Sequence, residues 1–294
     1  YITMNDAYNI SRALTDSGNI YGLSSSNADS HMMKNSEWGA VAYLGQSKYG
    51  QNGTEMTVNN ANLLSGGGSQ TKEEGNQFAS LYAVTGCTNN TTDTGTIKTT
   101  IEAINGTSGN TATAEGIYTW NQKNGQNAST TGTIYGIYDM SGGTWEPTTA
   151  YIANGHDNLK HYGASIAYQG DNLKIASTKY TTVYPHNEAG ETDANKAAPK
   201  NFATNTKIYG DAVRETTSST AGTTNAGWNT SSWNSDYSNF PALYNPFFYR
   251  GGSAWYASHA GSFAFRWLNG GPSFHVRFPL SLSGAKLISK NVRY

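Results

Sequence analysis

Residues 245–280, NPFFYRGGSAWYASHAGSFAFRWLNGGPSFHVRFPL, hold ten aromatic side chains interleaved with five glycines. Aromatic residues favour strands, and paired glycines permit tight turns and close backbone approach. The stretch therefore reads as short strands joined by turns. It also crowds Trp255, Tyr256, His259, Arg266, Trp267, Phe274, His275 and Arg277 together, more than a small sheet can bury. Trp, Tyr and Arg are the side chains that carry binding energy at interfaces. This stretch is the expected functional face, and the rest of the chain is its scaffold.

The composition of that scaffold narrows the class. Only 13% of the 294 residues are charged, 36% are hydrophobic, and 20 are Tyr. Low charge with abundant Tyr, Asn, Ser, Thr and Gly suits an extracellular, loop-rich surface protein more than a cytosolic enzyme. A net charge of −1 gives no electrostatic case for a nucleic-acid partner. No apolar run approaches the length of a membrane span. The single cysteine, Cys87, excludes an intrachain disulfide framework and a cysteine-based zinc cluster. A secreted chain without disulfides points to a bacterium or phage more than to an animal. The sequence starts at Tyr1, which is compatible with a signal, anchor or partner domain lost ahead of it.

Outward from the terminal stretch, two segments read as helices. In 4–14, Asn5 is the expected N-cap, and Met4, Ala7, Tyr8, Ile10 and Leu14 form an apolar stripe. In 31–50, Ser36 is the expected cap of a helix that turns Trp38, Val41, Ala42 and Leu44 to the core and ends at Gly45 or Gly50. Residues 51–131 and 153–235 read as polar, low-complexity insertions. Within them LYAVTG (81–86), GIYTW (116–120) and LKHYGASIAY (159–168) are strand-like islands. The whole of 1–294 is expected to form one domain, with its ligand-binding region near 245–280.

Three blocks resemble a known family: MKNSEWGAVAYL (33–44), GIYDMSGGTWE (136–146) and FFYRGGSAWYASHAGSFAF (247–265). Their order resembles the formylglycine-generating-enzyme branch of the C-type-lectin fold. Within that branch the chain looks like the variable proteins diversified by retroelements in bacteria, phages and archaea, of the gut Firmicutes and phage type. The resemblance implies an α+β, C-type-lectin-like fold with two helices, small antiparallel sheets and long irregular insertions. It also implies a binding face whose varied positions are Ala254, Trp255, Tyr256, Ser258, His259, Arg266, Trp267, Leu268, Asn269, Gly271, Ser273, Phe274, His275, Val276 and Arg277. Arg250, Gly251, Gly252, Ala260, Gly261, Phe263, Ala264, Phe265 and Phe278 are the implied framework. Pro279 departs from the family pattern, in which arginine follows the last phenylalanine. Adenine-directed change of an Asn codon cannot produce Trp, so Trp255 and Trp267 need another template codon or are fixed anchors.

The function implied is non-catalytic binding of a protein or glycan on another cell or host surface, by a chain displayed on a bacterial surface or a phage virion. Rival readings are a structural, pilin-like surface subunit, and an enzyme of the formylglycine-generating or sulfoxide-synthase type. The first enzyme type needs a cysteine pair near the C-terminus, and the second a histidine cluster. Cys87 lies far upstream, and His31, His156, His161, His186, His259 and His275 are scattered. No catalytic or metal-binding residue is therefore assigned and no cofactor is expected. Calcium, which the family sometimes holds, has no loop sequence here. Asp139 and Glu146 read as structural, one turning the chain and the other facing Arg250, rather than as an acid–base pair. Trp38 and Trp145 read as core.

Overall fold

The computed structural model describes residues 2–59, 86–89, 96–101, 110–115, 117–225, 229–273 and 280–283. In chain order the elements are α1 (Met4–Ala13), β1 (Asp29–Met32), α2 (Asn35–Gln46), β2 (Cys87–Asn89), β3 (Thr96–Ile101), β4 (Asn110–Glu115), β5 (Ile117–Thr119) and β6 (Glu146–Ile152). They continue with α3 (Asp157–Ala167), β7 (Tyr168–Gln169), β8 (Asn172–Leu173), β9 (Thr182–Tyr184), α4 (Ala194–Thr204), β10 (Phe247–Arg250), β11 (Phe265–Leu268) and β12 (Leu280–Ser283).

The centre is a four-stranded sheet in the order β11-β10-β6-β9. β10 is antiparallel to both β11 and β6, while β9 runs parallel to β6. Parallel neighbours cannot be joined by a hairpin. The crossover is made by residues 153–181, which include α3. Every residue of β6 and β10 is buried, because helices cover both faces of the sheet. Side chains alternate along β10. Phe247 and Tyr249 pack with Tyr151 and with Leu159 and Ile166 of α3, and Met4 and Ala7 of α1 complete that layer. Phe248 turns the other way, into Ile152, Tyr184, Phe240 and the Ala197, Ala198 and Phe202 face of α4. β1 pairs with β12, which joins the two ends of the chain.

The expected two-helix, C-type-lectin-like fold with small antiparallel sheets is corrected. Among the described residues there are four α-helices, and the sheets are open, with no lectin-type closed sheet or barrel. The added helices come from 153–208, which reads as irregular. LKHYGASIAY is mostly helix, since Leu159, Gly163, Ile166 and Ala167 form one buried stripe. Gly163 weakens that signal in sequence, but a Cβ there would stand 2.5 Å from the Phe247 ring. In α4, Pro199 argues against a helix, yet Asp193 caps it by accepting from the Asn195 amide at 2.9 Å.

The two expected helices form with altered details. Thr3, not Asn5, caps α1, in a reciprocal box with Asp6. Its buried face is Met4, Ala7 and Ser11, leaving Ile10 exposed. In α2, Trp38 and Ala42 face the core and Leu44 does not; Glu37 accepts from the Lys34 amide at 3.1 Å. Ile117–Thr119 is a strand, as GIYTW predicts, whereas LYAVTG apart from Gly86 lies outside the described residues. No helix among the described residues is long and apolar enough to cross a membrane.

Candidate functional site

The site begins where β10 ends. Arg250 is fully buried, and its guanidinium donates to the carbonyls of Asp211 at 3.1 Å and Ala212 at 3.0 Å. Burial pulls its pKa down, and the neighbouring Asp211 opposes that shift. Desolvation pushes the Asp211 carboxyl up to about 6. Asp211 accepts from the Tyr184 hydroxyl, and that hydroxyl accepts from Asn35 at 2.9 Å. Asn35 in turn accepts from Thr148 at 2.5 Å. The network ties β10 to β6, β9 and the start of α2. Glu146 stands opposite Arg250 across the β6–β10 pair. Asp139 sits at φ +61° in a bend, and its carboxylate accepts from Asn59 at 2.8 Å and from the Gly86 amide at 3.1 Å, which ties two distant segments to that bend.

Beyond Arg250 the chain is clasped to the Ser141-Gly142-Gly143 turn. The Gly142 amide donates to the Gly251 carbonyl at 2.7 Å, the Ala254 amide to Gly143 at 2.9 Å, and the Ser141 hydroxyl to Ala260 at 3.0 Å. Gly252 has φ +70°, and a Cβ there would lie 2.4 Å from the Ala260 backbone. The backbone can then leave the sheet, make a 3-10 helix over Ala254–His259, and return as β11.

Along this excursion buried and surface residues interleave. Gly251, Gly252, Ala260, Gly261, Phe263, Ala264 and Phe265 are buried. Of the expected binding residues, Ser258 and Asn269 are exposed, and His259, Arg266, Trp267, Gly271 and Ser273 are partly so. Three of the expected binding residues, Ala254, Tyr256 and Leu268, are buried. The 3-10 helix turns Ala254 and Tyr256 inward, and Leu268 stands opposite Phe247 on the covered side of the sheet. Trp255 contributes backbone to the helix, and its side chain is outside what the structure describes. Phe274, His275, Val276 and Arg277 lie outside the described residues, as does Phe278.

Tyr256 belongs to an aromatic pile. Its ring centroid is 5.3 Å from that of Trp145 and 4.7 Å from that of Tyr237. Its hydroxyl accepts from Arg266 Nη1 at 2.5 Å. Burial raises the pKa of Tyr256, with Arg266 pulling it back, and pushes Tyr237 up to about 12. The Arg266 guanidinium also lies 4.6 Å from the Trp267 ring centroid. Below the excursion, buried Asp236 accepts from the Phe263 amide at 2.9 Å. It is hydrogen-bonded to Glu55, and desolvation raises both carboxyls, Glu55 to about 7.

Beside β11 is a pocket of about 270 Å³, walled by Trp145, Tyr249 and Trp267 and edged by Asn245, Arg266 and Asn269. Leu268, Pro272 and Ser273 complete its lining. Five expected binding residues thus meet there: Arg266, Trp267, Leu268, Asn269 and Ser273. Ser258 and His259 do not line it. Sequence reading missed Asn245, Tyr249 and Pro272, and took Trp145 as core alone. Tyr249 carries no signal, since its strand neighbours are buried aromatics. The Asn245-Pro246 pair, by contrast, marks a chain that stops before a strand and leaves a polar side chain at its mouth.

Three of the histidines serve local structure. His31 bonds Glu37 at 2.9 Å, His156 caps α3 by accepting from Asn158 at 3.1 Å, and His259 bonds the Ser235 carbonyl at 3.0 Å. Among the described residues no group of three His, Cys, Asp or Glu could hold a metal ion. Trp233 packs on Phe263, and Trp228 lies outside the described residues. No protein-family model, curated protein or solved structure matches this chain.

Proposed function

We propose that this chain is a non-catalytic ligand- or receptor-binding protein whose C-terminal face is diversified by a retroelement. It acts outside the cell, on a bacterial surface or a phage tail, and engages a protein or glycan on another surface. One observation carries the reading: along 250–273 the buried glycines, Ala260, Phe263 and Phe265 hold the backbone, and Ser258, His259, Arg266, Trp267, Asn269 and Ser273 reach solvent between them. The clasp around Gly142 and Gly251 runs through backbone groups. The exposed Ser258 side chain can therefore be exchanged with little change to the fold, and exchange at His259, Asn269 or Ser273 gives up a local hydrogen bond. Surface substitutions of that kind typically move stability by within about 0.5 kcal/mol.

The neighbouring DNA tests this. A reverse transcriptase gene is expected, with a near-copy of the segment encoding 254–277. Adenines in that copy should fall at codons for the solvent-reaching positions and spare Ala260, Gly261, Phe263 and Phe265. A locus with neither gene nor copy would overturn the proposal.

A further inference from the structure

We infer that the pocket beside β11 binds one carboxylated sugar unit. This rests on reading the C-terminal face as a binding surface, and it names the chemistry of a concave part of that surface. Its unmatched polar groups are all hydrogen-bond donors. The Asn245 side chain is 2% exposed, and its Nδ2 has no partner among the described residues. Trp267 Nε1 and Arg266 Nε, on partly buried side chains, also have no partner among the described residues. Arg266 makes no ion pair with a carboxylate among the described residues, and no Asp or Glu lines the pocket. Buried donors without partners are costly, so a site like this favours a ligand rich in acceptors. A lone guanidinium matches a single negative charge, and its planar fork suits a carboxylate.

The walls and the volume choose the rest of the ligand. Trp145, Tyr249 and Trp267 present ring surface, on which the C–H face of a sugar packs. A volume of about 270 Å³ falls just under the roughly 300–1,000 Å³ of drug-sized sites, which suits one ring rather than a chain of them. An acidic peptide would gain most by adding a strand to the open edge of β11. That edge is partly occupied: the Phe265 amide donates to Tyr237 at 2.9 Å, and the Asn239 amide to Phe265 at 2.9 Å. The compact pocket is therefore favoured over a groove for extended chain.

Titration of intrinsic tryptophan fluorescence with methyl β-D-glucuronide, methyl β-D-glucoside and a capped glutamate tripeptide tests the inference. The glucuronide should bind at least tenfold more tightly than the neutral glucoside. Arg266→Lys should weaken it at least fivefold. Asn269→Asp provides the variant that folds, because Asn269 is exposed and its Oδ1 already accepts from the Gly271 amide at 3.0 Å. An aspartate keeps that bond and sets a negative charge at the mouth, so it too should weaken the glucuronide at least fivefold. Equal affinity for the two sugars, or no binding of the glucuronide, overturns the inference. So does binding of the tripeptide alone, which would reassign the pocket to acidic peptide. If the glucuronide fails while the retroelement locus is found, this inference falls and the proposed function stands. If the locus is missing while the glucuronide binds, the reverse holds.

Discussion

Replacing Tyr256 with alanine separates scaffold from exchangeable surface more sharply than any other single change. The side chain is 3% exposed and meets the rings of Trp145 and Tyr237. Truncating a buried aromatic costs about 3–5 kcal/mol, from lost transfer energy and the cavity left behind. Lost aromatic pairing is part of that sum, at about 0.5–1.5 kcal/mol per pair. Arg266 Nη1 also loses its acceptor, at 2.5 Å, although its partial exposure lets water replace the bond. The total is thus about 3–5 kcal/mol, a large share of the roughly 5–15 kcal/mol that stabilises a typical domain. For a chain of this length it corresponds to a fall in melting temperature of about 5–8 °C. Equilibrium urea denaturation followed by far-UV circular dichroism measures it, with Ser258→Ala as the exposed control. The control should stay within about 0.5 kcal/mol of the parent. A Tyr256→Ala loss below about 1 kcal/mol would refute the placement of this ring in the core and return Tyr256 to the exchangeable set.

Gly252→Ala should be at least as damaging, because a Cβ would lie 2.4 Å from the Ala260 backbone and φ is +70°. A loss of about 3 kcal/mol or more, or failure to fold, is expected in the same denaturation assay. The Glu55–Asp236 pair makes stability depend on pH. Both carboxyls have folded pKa values raised above their unfolded ones, so their contribution is complete below the unfolded value. It is lost as pH rises through the folded value of about 7 for Glu55. Allowing for its partial exposure, Glu55 alone should lower stability by about 1–2 kcal/mol between pH 5 and pH 8, and Asp236 acts in the same direction. Glu55→Gln should flatten that slope in melts at the two pH values, and an unchanged slope would refute the assignment.

Local chemistry was legible in the residues themselves. Trp38 and Ala42 at one buried face of a helix, the strand in GIYTW and the bend at Asp139 follow from spacing and side-chain type, whereas the burial of Trp145 is expected from the block that resembles the family. The division of 250–273 into framework and exchangeable residues also rests on the family resemblance, and three of the positions it makes exchangeable are buried, as exceptions. Those exceptions show the limit. Ala254, Tyr256 and Leu268 are buried because of what lies across from them: Trp145 and Tyr237 beneath the 3-10 helix, and Phe247 across the strand pair. α3 and α4 were hidden for the same reason. Gly163 and Pro199 weaken a helix judged by local preference, and Phe247 explains the glycine only once β10 is in place. The pocket joins Asn245, Trp145 and Ser273 from separate segments, so no short-range pattern could announce it. Composition and periodicity report what a residue prefers among its chain neighbours. Whether Tyr256 faces a ligand or the core depends on which distant surface arrives to cover it, and the tertiary structure alone decides that.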